Sequence, residues 1–276
     1  MPSRSALASL LLAATLTACS ASPPLPSEPR TALQLGHVHG LGINPGDGRL
    51  YVAAHSGVYE VVDGQPKLIS DRAQDTMGFD ITGEDSFIAS GHPATAEEVN
   101  PLGFITSDDA ARTWTSVSLA GVADLHAIDV ADDGSIVAYD STRGLLIRST
   151  DDGRTWDVLQ KNVSLIDIAA QRGQKFTVLA STSDGRTLSV DAAGTSTPLT
   201  NSPGLTFLDV TINGTVVGLG VDGRIWVQRG TNWTSPAQVE GTPEAISVAA
   251  DTWYVATSAG IVASDDGGTT WTNVLR

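Results

Sequence analysis

An all-β, six-bladed β-propeller is the fold this sequence predicts, and three observations predict it. An eight-residue pattern, S-x-D-x-G-x-T-W, occurs at Ser149, Asp151, Gly153, Thr155 and Trp156 and again at Ser264, Asp266, Gly268, Thr270 and Trp271. A third copy at Ser107, Asp109, Thr113 and Trp114 carries Ala111 in place of the glycine. Short runs of Val, Ile, Leu and Tyr alternate with Gly, Asp, Asn and Ser turns, and helical periodicity is nearly absent. Six such segments share one plan, with first strands expected to end at Ile43, Ile81, Val130, Ile168, Val210 and Val248. The steps between these ends, 38, 49, 38, 42 and 38 residues, are those of four-stranded propeller blades. A seventh blade would need a hidden repeat for which no stretch remains.

Residues 1–18 read as an export signal: Arg4, an apolar run from Ala6 to Leu16 too short to span a bilayer, then small residues. Leu16-Thr17-Ala18-Cys19 resembles a lipobox, which makes Cys19 the expected acylated first residue, followed by a Ser- and Pro-rich tether over 19–33. The propeller is expected over 34–276. The expected location is extracytoplasmic, on the membrane through the lipid at Cys19. Cys19 is the only cysteine, so no disulfide forms and the buried core must supply the stability. With 16 Lys and Arg against 31 Asp and Glu, a net charge of −15, the chain lacks the basic face that a nucleic-acid partner requires.

Within the blades, Asp47-Gly48, Asp133-Gly134 and Asn213-Gly214 are expected as two-residue hairpins between first and second strands. The eight-residue pattern is the Asp-box, and it closes blades two, three and six. Blade four keeps a worn copy at Ser189, Asp191 and Thr195, and blade five keeps Trp233 alone. Asp and Ser at such a turn bond local backbone groups, Gly accepts positive φ, and Trp pins the hairpin to the sheet. The box is therefore a clamp, not a site. The long step of 49 comes from an insertion, roughly His92 to Leu102, between the second and third strands of blade two.

The repeat also places the histidines. Three residues before Gly42, Asp80, Asp129, Asp167, Asp209 and Ser247 stand His39, Met77, His126, Ser164, Thr206 and Glu244. First strands line a propeller's channel, so these six positions are expected to ring its mouth. His37 lies two residues upstream of His39, and His55 and His92 end second strands, which return to the same face. Imidazole with the Met77 thioether suits copper, above all Cu(I), and imidazole alone suits zinc or Cu(II). The expected metal set is thus His39, Met77 and His126, with His37, His55 and His92 beside them. The alternative is that these histidines bond neighbouring loops and Met77 fills a gap in the core. Roughly 10 Å deeper, Asp80, Asp129, Asp167 and Asp209 are expected to cap backbone amides of the adjoining blade rather than to hold a hard cation.

The stretches His37-Val38-His39-Gly40-Leu41-Gly42, Ser90-Gly91-His92-Pro93 and Asp124-Leu125-His126-Ala127, together with the boxes, resemble secreted bacterial Asp-box propeller lipoproteins. That group is often labelled glycosyl hydrolase or exo-α-sialidase, and sortilin-like receptors and photosystem-assembly propellers share the repeat. The resemblance implies six blades and possible sugar chemistry, so three functions stand open: a metal-binding module, from the histidine ring; a glycosidase acting on extracellular glycans, from the resemblance; or a protein-binding scaffold. Retaining sialidases need an arginine cluster, an acid/base Asp and a Tyr nucleophile paired with Glu. Their opening Phe/Tyr-Arg-Ile-Pro motif is missing, and Arg112 and Arg154 fall inside boxes. Tyr139, Asp140 and Glu244, with Glu97 and Glu98, are the catalytic candidates that remain.

Overall fold

The computed structural model describes residues 35–70, 72–173, 175–248 and 251–276. The expected signal segment, Cys19 and the whole of the expected tether lie outside the described residues. The described chain forms six four-stranded antiparallel sheets, each made of consecutive strands paired in sequence order. Blade one opens with β1 (Val38–Ile43), blade two with β5 (Asp75–Gly83) and blade three with β9 (Leu125–Val130). Blades four, five and six open with β13 (Leu165–Ala170), β17 (Leu205–Val210) and β21 (Pro243–Ser247). These first strands touch one another in ring order, β21 returns to β1, and together they wall a central channel. The all-β, six-bladed propeller expected from the sequence is the fold.

Each blade draws its four strands from one continuous stretch, so no strand is exchanged where the ring closes. Side-chain packing closes it instead: Leu35, Val38, Val52 and Tyr59 pack with Ala245, Ala256, Ile261 and Leu275. The Val38 N–H also donates to Glu244 Oε2 across 3.0 Å. Comparable apolar clusters fill the other blade interfaces. This sandwiching explains the unbroken apolar runs, since second strands such as Leu50–Ala54 and Ile136–Asp140 are buried at every residue.

Two local expectations are corrected. The three dipeptides sit inside five- or six-residue loops rather than two-residue hairpins: Gly134 N–H donates to Ala131 O, and Ala131 N–H to Ser135 O, each at 2.9 Å. Gly134, at φ 79°, occupies the left-handed position that ends such a loop. The second correction concerns strand ends: the first strands of blades two and four run to Gly83 and Ala170, two residues beyond the expected Ile81 and Ile168, and that of blade six stops at Ser247, one before Val248. The 38- and 42-residue steps from Val130 to Val210 become two equal steps of 40.

The three complete S-x-D turns are superimposable in their bonding. In each, the Ser Oγ accepts the N–H four residues on at 2.9 Å, and the Asp carboxylate accepts the Thr N–H at 2.8 Å and the Thr hydroxyl at 2.7 Å. The worn copy keeps only its Asp191 bonds, to the N–H groups of Ala193 and Thr195. In the blade-three turn Trp156 Nε1 donates to Gly153 O, and the Trp ring meets Phe104 edge-on at 5.4 Å. Gly153 has φ 77°, and a Cβ there would overlap the Phe104 ring. Gly153→Ala is expected to destabilise the fold by about 2–3 kcal/mol, read as a lower urea midpoint at unchanged slope.

Candidate functional site

Every first strand carries a β-bulge near its entry, where one residue, or two in blade two, falls out of register with the second strand. A bulge re-aims the side chain it displaces. The displaced residues are His39, Met77 with Gly78, His126, Ile166, Thr206 and Glu244. Of the six expected ring positions, His39, Met77, His126 and Glu244 line the channel cavity, while Thr206 is a bulge residue that is not part of its wall. The blade-four member is Ile166, not Ser164, because that blade's register shifts by two. The wall of the channel cavity, which measures about 640 Å³, includes His37, His39, Met77, His126, Ile166 and Glu244.

The imidazoles at this mouth are organised by two carboxylates. Asp75, the first residue of β5, places Oδ2 2.9 Å from His55 Nδ1 and Oδ1 3.3 Å from His39 Nε2. The second pair is out of line for a hydrogen bond, and both atoms are buried with no other hydrogen-bond partner among the described residues. Asp124, just before β9, places Oδ2 2.7 Å from His126 Nε2 and 3.6 Å from His92 Nε2. Its Oδ1 is likewise buried without a hydrogen bond. The donor atoms of His39, His55 and Asp75 lie within 4.8 Å of one another, as do those of His92, Asp124 and His126. Met77, the ring residue of blade two, stands between the ring positions of His39 and His126.

The outer nitrogens are held too. His92 Nδ1 lies 2.8 Å from Asn100 Oδ1 in the blade-two insertion. An amide oxygen only accepts, so Nδ1 is the donor of this pair and Nε2 is the nitrogen turned toward Asp124. His37 Nδ1 lies 3.3 Å from His39 Nδ1. Burial, then the neighbouring His37, His126 and His55, lower the pKa of His39 to about 3, so this ring is neutral at pH 7 and able to ligate. Burial alone would raise the pKa of Asp124, but its hydrogen bond to His126 and the His126 and His92 charges hold it below the usual carboxylate range.

Deeper in the channel, Asp129, Asp167 and Asp209 each bridge two blades. Their Oδ2 atoms accept the N–H groups of Ala170, Leu208 and Val248 at 2.7–2.9 Å, while Oδ1 accepts the N–H of the residue that follows each Asp. These are interblade caps. Register places Asp80, Asp129 and Asp209 at one depth and Asp167 two residues nearer the mouth. Among the described residues Arg172 is the one Lys or Arg on the cavity wall, and it is committed to Val130 O at 2.7 Å and to Asp129 at 3.4 Å.

The catalytic candidates do not assemble. The Tyr139 hydroxyl donates to Val163 O, and Asp140, wholly buried, accepts the N–H groups of Thr142 and Arg143 and pairs with the Arg143 guanidinium. Neither lines the cavity, because both belong to the second strand of blade three, whose side chains pack between blades. Glu244 reaches the cavity but spends Oε2 on Val38. Glu98 turns to Arg72 and Thr95. Sequence reasoning missed Asp75 altogether and saw Asp124 only as part of a resemblance. Their signal was present as an acid two residues before the ring position in blades two and three.

No family model matches the chain, and no curated protein matches it. Solved structures share its fold. YCF48 bound to D1 peptide aligns at TM-score 0.55 and 17% identity, over 89% of this chain and 83% of that one. A gluconolactonase from Xanthomonas campestris aligns at TM-score 0.66 and 13% identity, over 82% and 84%. A chain of the nidogen/laminin complex aligns at TM-score 0.65 and 11% identity, over 82% and 92%. At these identities the likeness is one of fold, and the same propeller serves both an enzyme and protein-binding partners.

Proposed function

We propose that this protein is an extracytoplasmic binding module, an Asp-box propeller carried on a lipid at Cys19, whose ligand is a transition-metal ion held at the channel mouth of blades one to three. One observation carries the reading: histidines from three blades converge on two carboxylates, and buried ligand-type atoms there have no hydrogen-bond partner among the described residues. The cavity wall does not oppose a cation: Glu244 faces it, and among the described residues the one cationic side chain on it, Arg172, is committed to Val130 O and Asp129. The same wall disfavours the sialidase reading, because a sialoside carboxylate would meet no free guanidinium there. The fold neighbours with protein ligands support a second reading, a protein-binding scaffold, with the exposed Val99 and Val122 beside the blade-two insertion as its contact.

Metal analysis of full-length protein recovered from the membrane fraction tests the first reading. We expect close to stoichiometric zinc or copper, and a loss of at least tenfold in affinity for the metal-stripped protein when His39→Ala and His126→Ala are combined. Uptake weaker than micromolar, or unchanged in that double variant, would sink it.

A further inference from the structure

We infer that the mouth takes two divalent ions at two separate positions, one held by His39, His55 and Asp75 and the other by His92, Asp124 and His126. The inference rests on the transition-metal reading above and goes further in number, place and ligand chemistry. Each trio has its own carboxylate, and each is compact, with its three donor atoms within 4.8 Å of one another. They arise at different blade interfaces. The C-terminal end of a second strand meets the residue that opens the next blade, so His55 of blade one meets Asp75 and His92 of blade two meets Asp124. The third donor is a bulge residue, His39 in the first trio and His126 in the second. Blade two contributes its bulge residue, Met77, to neither trio.

Two features distinguish these trios from incidental surface pairs. His39 Nε2 and Asp75 Oδ1 face each other at 3.3 Å, misaligned for a hydrogen bond and buried. That is the spacing and relation of two atoms that share an ion rather than a proton. In the second trio, the Asp124 side chain is 10% exposed and still leaves Oδ1 without a hydrogen bond. Outer-shell support is also in place, with Asn100 fixing the His92 ring and Ser141 reaching Asp124 Oδ2 at 3.3 Å.

Two imidazoles and a carboxylate form a borderline-to-hard donor set, which suits Zn²⁺ or Cu²⁺ and not the softer Cu⁺ that a thioether would favour. Three protein ligands also leave coordination positions open toward the channel. Met77 then acts as the apolar spacer between the two ions.

Native mass spectrometry and calorimetric titration of the metal-stripped full chain with Zn²⁺ decide the matter. The expected result is two ions in the wild type, one in Asp75→Asn, one in Asp124→Asn, none in the double variant, and two in Met77→Leu. His55→Ala and His92→Ala, at more exposed positions, repeat the test without disturbing the core, and each should lower the count or weaken one step at least tenfold. A single wild-type ion that either Asp variant abolishes would overturn the inference while leaving the metal-binding reading intact. Two ions that persist in both Asp variants, or an ion lost in Met77→Leu, would also overturn it. No ion at all would remove both.

Discussion

Gly91→Ala is expected to lower stability by roughly 3–5 kcal/mol and the melting temperature by roughly 10 °C, and to disorganise the first histidine trio at the same time. Gly91 holds φ 149°, and a Cβ on it would overlap the carbonyl oxygen of Asp75 directly across the sheet. Backbone atoms cannot rotate away as a side chain would. The second strand of blade two, Ser86–His92, would have to separate from β5 where Asp75 pairs with His92 and Thr76 with Gly91. Asp75 orients His39 and His55, and His92 belongs to the other trio. One methyl group therefore disturbs both. Thermal melts followed by circular dichroism, with Zn²⁺ titration of whatever folds, check the two parts. A variant within about 1 kcal/mol of the wild type would show that the two strands do not approach as closely as described.

How far the sequence reaches is shown by one isoleucine and one aspartate. The S-x-D turns were legible because the Ser and Asp bonds that define them are local, closed within seven residues. The blade count followed from their spacing. Ile166 was not legible: the blade-four loop between first and second strands differs in length from its neighbours, and a strand that ends two residues later shifts everything counted back from its end. Only cross-strand pairing reveals that Leu165 faces Thr182 and Asp167 faces Ser181, which leaves Ile166 as the bulge. Asp75 was hidden for a different reason. Its partners His39 and His55 are 36 and 20 residues away in the preceding blade; the chain shows an acid two residues before the ring position in blades two and three, but not which side chains of the neighbouring blade meet it.

The same distinction explains why Tyr139 and Asp140 misled. A Tyr-carboxylate pair at the end of a second strand is on the predicted face, but alternate residues of a strand point to opposite sides. In blade three those sides are the two packed interfaces. The face of an element is legible from sequence, and the neighbour that covers that face is not.

Stability is expected to peak near pH 4–5 and to fall by on the order of a few kcal/mol between about pH 5 and pH 8, the reverse of the usual acidic decline. Burial raises the pKa of Asp167 and of Asp209 to about 7, against the backbone N–H bonds that favour their charged forms. Burial raises Asp80 and Asp129 as well, Asp80 helped by repulsion from Asp129 and Asp129 opposed by Arg172. In the unfolded chain these carboxyls ionise near pH 3.9. Below that pH both states hold the protons and the stabilising contribution is complete. Between about pH 4 and pH 7 the unfolded chain releases protons that the folded protein keeps, which favours unfolding; above about pH 7 the loss is complete. His39, its pKa lowered to about 3 by burial, acts in the opposite sense and offsets part of this decline below about pH 6.5, and the turn aspartates do so at lower pH. Thr155, foremost through its hydroxyl, and the Thr270 N–H lower Asp151 and Asp266 to about 2, so their contribution is present above about pH 4 and is lost as pH falls toward 2. The two windows meet near pH 4–5. Asp209→Asn isolates the channel effect: its amide NH₂ must face one of the N–H groups of Val210 or Val248, so it costs about 1–2 kcal/mol at pH 4.5. It should also flatten the decline above pH 5 by up to about 1.4 kcal/mol per pH unit. Urea melts of both proteins at half-unit intervals measure that slope, and an unchanged slope, or stability that rises from pH 5 to pH 8, would refute the account.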